Sequence, residues 1–103
     1  MREDEERGLF VISVAAELVG LHPQTLRHYE REGLVVPTRT AGGIRLYRRR
    51  DLARLRRIAE LTAEGVNLAG ARRVLELEDR NRALGEELTG AAGRHDGRRE
   101  VRR

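Results

Sequence analysis

Residues 13–47 read SVAAELVGLHPQTLRHYEREGLVVPTRTAGGIRLY, and glycines and prolines punctuate this stretch into two short helices and a hairpin. Ser13 can cap a first helix running to about Gly20, with Val14, Ala15, Leu18 and Val19 as its apolar positions. Gly20 and Leu21 make the turn. Pro23 then falls at the first position of a second helix, where a missing amide proton costs nothing. That helix runs to about Glu32 and stops at Gly33, which can take the left-handed conformation of a helix end. Leu26 and Tyr29, three residues apart, face inward, and Leu34 follows the stop. Gln24, Thr25, Arg27, His28 and Arg31 are left on outward faces. Two helices of this length around a tight glycine-containing turn predict a helix-turn-helix.

Downstream, Val35, Val36 and Pro37 leave the second helix in extended form, because proline biases the residue before it away from helix. Gly42-Gly43 is expected to form a two-residue hairpin turn. Its arms carry Arg39 and Arg45, and Tyr47 closes it. A basic hairpin directly after a helix-turn-helix reads as a wing.

A third helix begins between Arg48 and Asp51, runs to Glu64 and stops at Gly65. Leu52, Leu55, Ile58, Ala59, Leu61 and Thr62 form its inward stripe, with Arg54 and Arg57 on the outer side. Asn67 can cap a fourth helix with Leu68, Ala71, Val74 and Leu75 inward. From Val74 onward, Leu77, Asn81, Leu84 and Leu88 continue at alternating spacings of three and four, an a/d seam with one polar member. Such a seam needs cover, and a second copy of the chain can supply it. The expected organisation is a mobile acidic arm over residues 1–10, a DNA-binding domain over 11–77, a short dimerisation helix over 74–89 and a disordered basic tail over 90–103. The fold class is therefore mainly α: a winged helix-turn-helix with a small β-hairpin wing and a C-terminal dimerisation helix.

Charge distribution says more than net charge. The chain of 103 residues carries +4 overall, and all 21 of its basic residues are arginine. Residues 39–57 hold eight arginines against Asp51 alone, a local charge of +7. A basic stripe of this kind is the electrostatic footprint of a polyanion-binding surface, and guanidinium forks suit phosphates and guanine edges. With no cysteine, disulfides, thiolate metal sites and cysteine catalysis are excluded. No apolar run approaches the roughly 20 residues that span a bilayer, and the acidic start MREDEERG is unlike a signal peptide, so a cytoplasmic, nucleoid-associated protein is expected. His22, His28 and His95 are too scattered for a metal site. No catalytic triad, phosphate-binding glycine loop or paired carboxylate appears, so neither an enzyme nor a cofactor is expected.

The run from Val11 to Leu77 resembles the MerR-type winged helix-turn-helix family. HPQTLRHYEREGLV, then RTAGGIRLY, then DLARLRRIAELTAEGVNLAGARRVLEL carry the likeness, in that order. Within the family the wing GGIRLY and the short C-terminal part are most similar to the heat-shock repressor (HspR) branch. That resemblance implies a homodimer on an inverted-repeat operator of chaperone genes, with a DnaK-type chaperone as co-repressor. It assigns Gln24, Thr25, Arg27 and His28 to the recognition surface, Tyr29 to anchoring that helix and reaching a phosphate, and Arg39, Arg45 and Tyr47 to the wing. Arg48 departs from the family, which commonly has a serine-like cap there. A frayed helix start or an added phosphate contact would follow.

Groove chemistry divides the roles further. Arg27, then Gln24 and His28, are placed to read bases, whereas Arg39, Arg45, Arg49 and Arg54 are expected on phosphates or in the minor groove. Tyr29 serves equally as a core residue or a contact. Two rival functions share the scaffold: an architectural or excisionase-like DNA binder, and a chaperone modulator that binds protein. The second predicts a neutral or acidic wing, against the +7 segment.

Overall fold

The computed structural model describes residues 7–95, with side chains described through residue 89. The described residues fall into two compact units that divide after Leu68.

The first unit is built from β1 (Leu9–Phe10), α1 (Ile12–Val19), α2 (Pro23–Arg31), β2 (Thr38–Arg39), β3 (Arg45–Arg48) and α3 (Arg49–Ala63). The three strands form an antiparallel sheet in the order β1-β3-β2. Thr38 pairs with Leu46 and Arg39 with Arg45 on one side of β3, while Leu9 pairs with Arg48 and Phe10 with Tyr47 on the other. Leu9 and Phe10 therefore do not belong to a mobile arm. Phe10 is buried, and its apolar ring gives β1 a reason to dock. Residues 1–6 of the expected arm lie outside the described residues.

Helix boundaries follow the glycines. Each of α1, α2 and α3 is followed by a left-handed glycine, with Gly20 at φ +73°, Gly33 at φ +76° and Gly65 at φ +92°. At these three ends the amide after the glycine reaches back into the last turn: Leu21 to Ala16, Leu34 to Tyr29 and Val66 to Leu61, at 2.9–3.0 Å. These bonds satisfy carbonyls that a helix end would otherwise strand. The start of α1 differs from expectation. Val11 occupies the cap position without a side-chain bond, and Ser13 lies inside the helix.

The wing turn also differs. Gly43 alone in the turn has a positive φ, +85°, whereas a two-residue turn of the expected kind needs two such residues. Thr40 and Ile44 close a three-residue loop instead: the Thr40 amide donates to the Ile44 carbonyl at 2.9 Å and the Gly43 amide to the Thr40 carbonyl at 2.9 Å. The Thr40 hydroxyl also accepts from the Ile44 amide at 3.1 Å.

Core residues come from β1, β3, the three helices and the segment leaving α2, while both residues of β2 are exposed. Ala15, Leu26, Leu34, Tyr47, Leu55 and Ile58 are at most 1% exposed. Each large apolar side chain buried in this way is worth about 1.5–3 kcal/mol of transfer free energy. The inward stripe of α3 is as expected at Leu52, Leu55, Ile58 and Leu61, with Ala59 and Thr62 half-buried.

The second unit carries α4 (Leu68–His95), a single helix of 28 residues. The expected dimerisation segment over residues 74–89 is part of this one continuous helix, and helix replaces the expected disordered tail over residues 90–95. The rest of that tail lies outside the described residues. Ala71 and Leu75 are buried, whereas Leu77, Leu84 and Leu88 are 41%, 51% and 71% exposed. Among the described residues no helix is long and apolar enough to cross a membrane.

Candidate nucleic-acid interface

Helix α2 begins on His22, whose Nδ1 accepts from the Gln24 amide at 3.0 Å, with Pro23 at the first turn. This cap replaces the serine or aspartate usually found there. Leu26 and Tyr29 are buried and fix the rotation of the helix. Gln24, Arg27, His28 and Arg31 follow the i, i+3, i+4, i+7 spacing of one helix face. Gln24, His28 and Arg31 are exposed, and Arg27 and Thr25 half-buried. Arg27 Nη1 donates to Gln24 Oε1 at 3.2 Å, which lays the two polar side chains along the helix surface.

The wing is held to α2 by Glu30. Its Oε2 accepts from Arg39 Nη2 at 2.7 Å, and its Oε1 accepts from Arg45 Nε at 2.5 Å. Arg39 also donates through Nη1 to the Gly43 carbonyl at 3.0 Å, across its own loop. Burial raises the Glu30 pKa, but the hydrogen bonds and charges of Arg45 and Arg39 outweigh it and hold the carboxyl below its ordinary value. The hydrogen bond to Glu30 pushes Arg45 the opposite way, against a smaller opposing effect of burial. Arg39 and Arg45 were expected on phosphates or in the minor groove. In the folded chain the two share one carboxylate, so the trio presents a formal charge of +1.

Burial bears on other expectations. Tyr47 is fully buried, so its ring is core and not a surface contact, while Tyr29, expected equally as core or contact, packs in the core at 6% exposed. The Tyr47 hydroxyl has no hydrogen-bond partner among the described residues. Burial, helped by the negative charge of Glu30, raises its pKa. Arg54 is half-buried, and its Nε donates to the Leu34 carbonyl at 2.5 Å, so this expected phosphate contact ties α3 to the chain leaving α2. Arg49 is exposed, with its guanidinium 5.5 Å from the Phe10 ring centre. It lines an open depression with Arg7, Gly8, Leu9, Arg48 and Arg50 at the start of α3.

That helix start is held by Asp51. Asp51, 6% exposed, accepts from the Arg48 amide at 2.8 Å and lies 3.4 Å from Arg48 Nε. An aspartate three residues into the helix thus supplies the carboxylate half of a capping box and a negative charge at the helix start. The bond a serine cap would accept from the first-turn amides is not replaced. His22, Glu30 and Asp51 were not singled out from sequence as positioning groups. The signals were there for two of them: a polar residue immediately before a helix-initiating proline, and a carboxylate at the third helical position. Glu30 offered no such signal, since its partners lie nine and fifteen residues away. Among the described residues no group of three or more His, Cys, Asp or Glu could hold a metal ion.

Several known proteins are similar to this chain. The heat shock protein named HspR in Streptomyces coelicolor is 57% identical over 76 residues, 73% of this chain and 50% of that protein. The HTH-type transcriptional regulator GlnR of Bacillus cereus is 38% identical over 80 residues, 77% of this chain and 62% of that one. The chain thus spans half to three-fifths of the length of these relatives. Among solved structures, the MerR family regulator HiNmlR, which lacks the sensor domain and is bound to promoter DNA, superposes with a TM-score of 0.64 at 28% identity, over 80% of this chain and 68% of that one. A MerR family transcriptional regulator of Bacillus cereus gives 0.62 at 26% identity, over 84% and 70%. The model of the MerR HTH family regulatory proteins matches residues 10–78, from the first strand, through the capped helix pair and wing, into α4. With that match extending over most of its length, the chain belongs to the MerR family of helix-turn-helix transcriptional regulators.

Proposed function

We propose that this protein is a sequence-specific repressor of heat-shock and chaperone genes that binds an inverted-repeat operator in double-stranded DNA as a homodimer. The observation that carries the reading is the outward face of α2. Gln24, Arg27, His28 and Arg31 share one side of a helix whose opposite side is locked into the core by Leu26 and Tyr29. A rigid helix of nine residues bearing such a face fits the major groove, where base pairs present distinct donor and acceptor patterns. Arg27 is assigned to base reading with Gln24 and His28, and Thr25 and Arg31 flank them. Arg49 and its neighbours at the start of α3 are assigned to phosphates, which position without reading sequence.

The promoter DNA held by HiNmlR supports the ligand, and the likeness to HspR supports the regulon and a DnaK-type chaperone as co-repressor. Dimerisation is assigned to Val74, Leu77, Asn81, Leu84 and Leu88 of α4. Three of these are leucines exposed in the single chain at the spacing of a coiled-coil seam. Such a protein works in the cytoplasm, on the nucleoid.

The test is a titration of labelled duplexes recovered from a randomised pool, against random duplex, at several salt concentrations. A repressor should prefer its selected site by about 10³-fold or more. Equal binding to both would replace this reading with that of an architectural DNA binder. No binding to either would leave a protein-binding module.

A further inference from the structure

We propose that Glu30 is a positioning residue that sets discrimination between operator and random duplex, by holding the two wing arginines away from phosphates and against the recognition helix. The inference rests on the duplex-binding reading above and deepens it.

Three observations carry it. The carboxylate is engaged at both oxygens by separate guanidiniums, 2.7 Å from Arg39 and 2.5 Å from Arg45. Its side chain is 21% exposed, so the pair sits partly out of water, where charges are screened less. Glu30 belongs to α2, whereas its partners stand on β2 and β3, so this one side chain ties the base-reading helix to both strands of the wing.

Two consequences follow for binding. A wing fixed in place loses less conformational freedom when it meets DNA, and that gain is realised only where the duplex matches the fixed geometry. The same carboxylate withholds cationic charge from any duplex whatever its sequence, and phosphate neutralisation is what drives non-specific binding. Glu30 therefore lowers affinity for random DNA more than for a matching site.

The experiment compares the full chain with Glu30→Gln, Glu30→Asp and Arg39→Gln, the last also in the Glu30→Gln background, on selected and random duplexes across a salt series. Glutamine keeps the shape but not the charge. The Glu30→Gln variant should bind random duplex several-fold more tightly, with a log–log salt slope steeper by about one unit, since loss of one carboxylate takes the trio from +1 to +2. Its preference for the selected site should fall about tenfold, converted as one factor of ten per 1.4 kcal/mol. Glu30→Asp, which retains the charge, should restore most of the parent preference. Arg39→Gln should lower the slope on random duplex by less in the parent than in the Glu30→Gln background, because in the parent that guanidinium is already held.

A Glu30→Gln variant that weakens both duplexes equally, or leaves the slope unchanged, would overturn the proposal. So would Arg39→Gln lowering the slope equally in both backgrounds, or a Glu30→Asp variant, which keeps the charge, whose slope on random duplex is steepened by a full unit. The parent titration separates this result from failure of the wider reading. A parent that binds no duplex overturns both, whereas a parent that discriminates beside an indifferent Glu30→Gln overturns this proposal alone.

Discussion

Arg54 and Leu34, twenty residues apart, are joined by a 2.5 Å bond from the guanidinium Nε to the backbone carbonyl. Leu34 is 1% exposed and leaves α2 immediately after Gly33, so its carbonyl has little access to water. Arg54→Ala should cost about 1–3 kcal/mol of stability, the range for leaving a buried acceptor unsatisfied. Its salt slope on random DNA should stay at the parent value. A stable Arg54→Ala variant with a slope lowered by one unit would mean that this arginine reaches phosphate after all.

Gly42 and Gly43 are adjacent but not equivalent. Only Gly43 has a positive φ, and a Cβ there would meet nothing within 4 Å, so conformation alone is at stake. Gly43→Ala should destabilise the protein by about 1–2 kcal/mol, the cost of left-handed backbone for a residue with a Cβ. Gly43→Asn should cost less, and Gly42→Ala should be tolerated. Chemical denaturation of the three variants checks the order, and equal loss at both positions would contradict the three-residue loop.

Acid should selectively loosen the contact between wing and α2. The folded pKa of Glu30 lies below its ordinary value, the guanidiniums of Arg45 and Arg39 overcoming the opposing effect of burial. A depressed carboxyl contributes stability that is complete above its unfolded pKa, about 4.3, and is lost as pH falls through the folded value. The difference in Tm between the parent and Glu30→Gln should therefore stay level from pH 7 to about pH 5 and shrink below it. A difference that grows on acidification would give the shift the wrong sign.

Base reading and phosphate contact are separable by mutation. Arg27→Ala should relax preference at one base pair in each half-site, a loss of about 1–3 kcal/mol against the preferred base. Arg49→Ala should weaken binding to all sequences alike and lower the salt slope by about one unit. Selection of sites by each variant from a randomised pool shows the difference. The same behaviour from both would erase the division of roles between α2 and the start of α3.

Leu77 and Leu84 should report on assembly. Aspartate at either position places a charge in the seam of α4, and sedimentation should show a dimer for the parent and monomers for the variants. An unchanged mass would move the interface off this helix.

Sequence alone determined the helix pair, the wing, α3 and most of the core, though not β1 or the reach of α4. Gly20, Gly33 and Gly65 ended the helices where left-handed backbone was needed, Pro23 opened α2, and the spacing of Leu52, Leu55, Ile58 and Leu61 placed one face of α3 inward. These are local matters of backbone conformation and helical period, and they are written in neighbouring residues. Only the tertiary structure decided which arginines remain available to a partner. Arg39 and Arg45 meet Glu30, and Arg54 meets the Leu34 carbonyl, across nine to twenty residues of chain. A charge declares its sign in the sequence, but its partner is chosen by whatever the fold brings within about 3 Å.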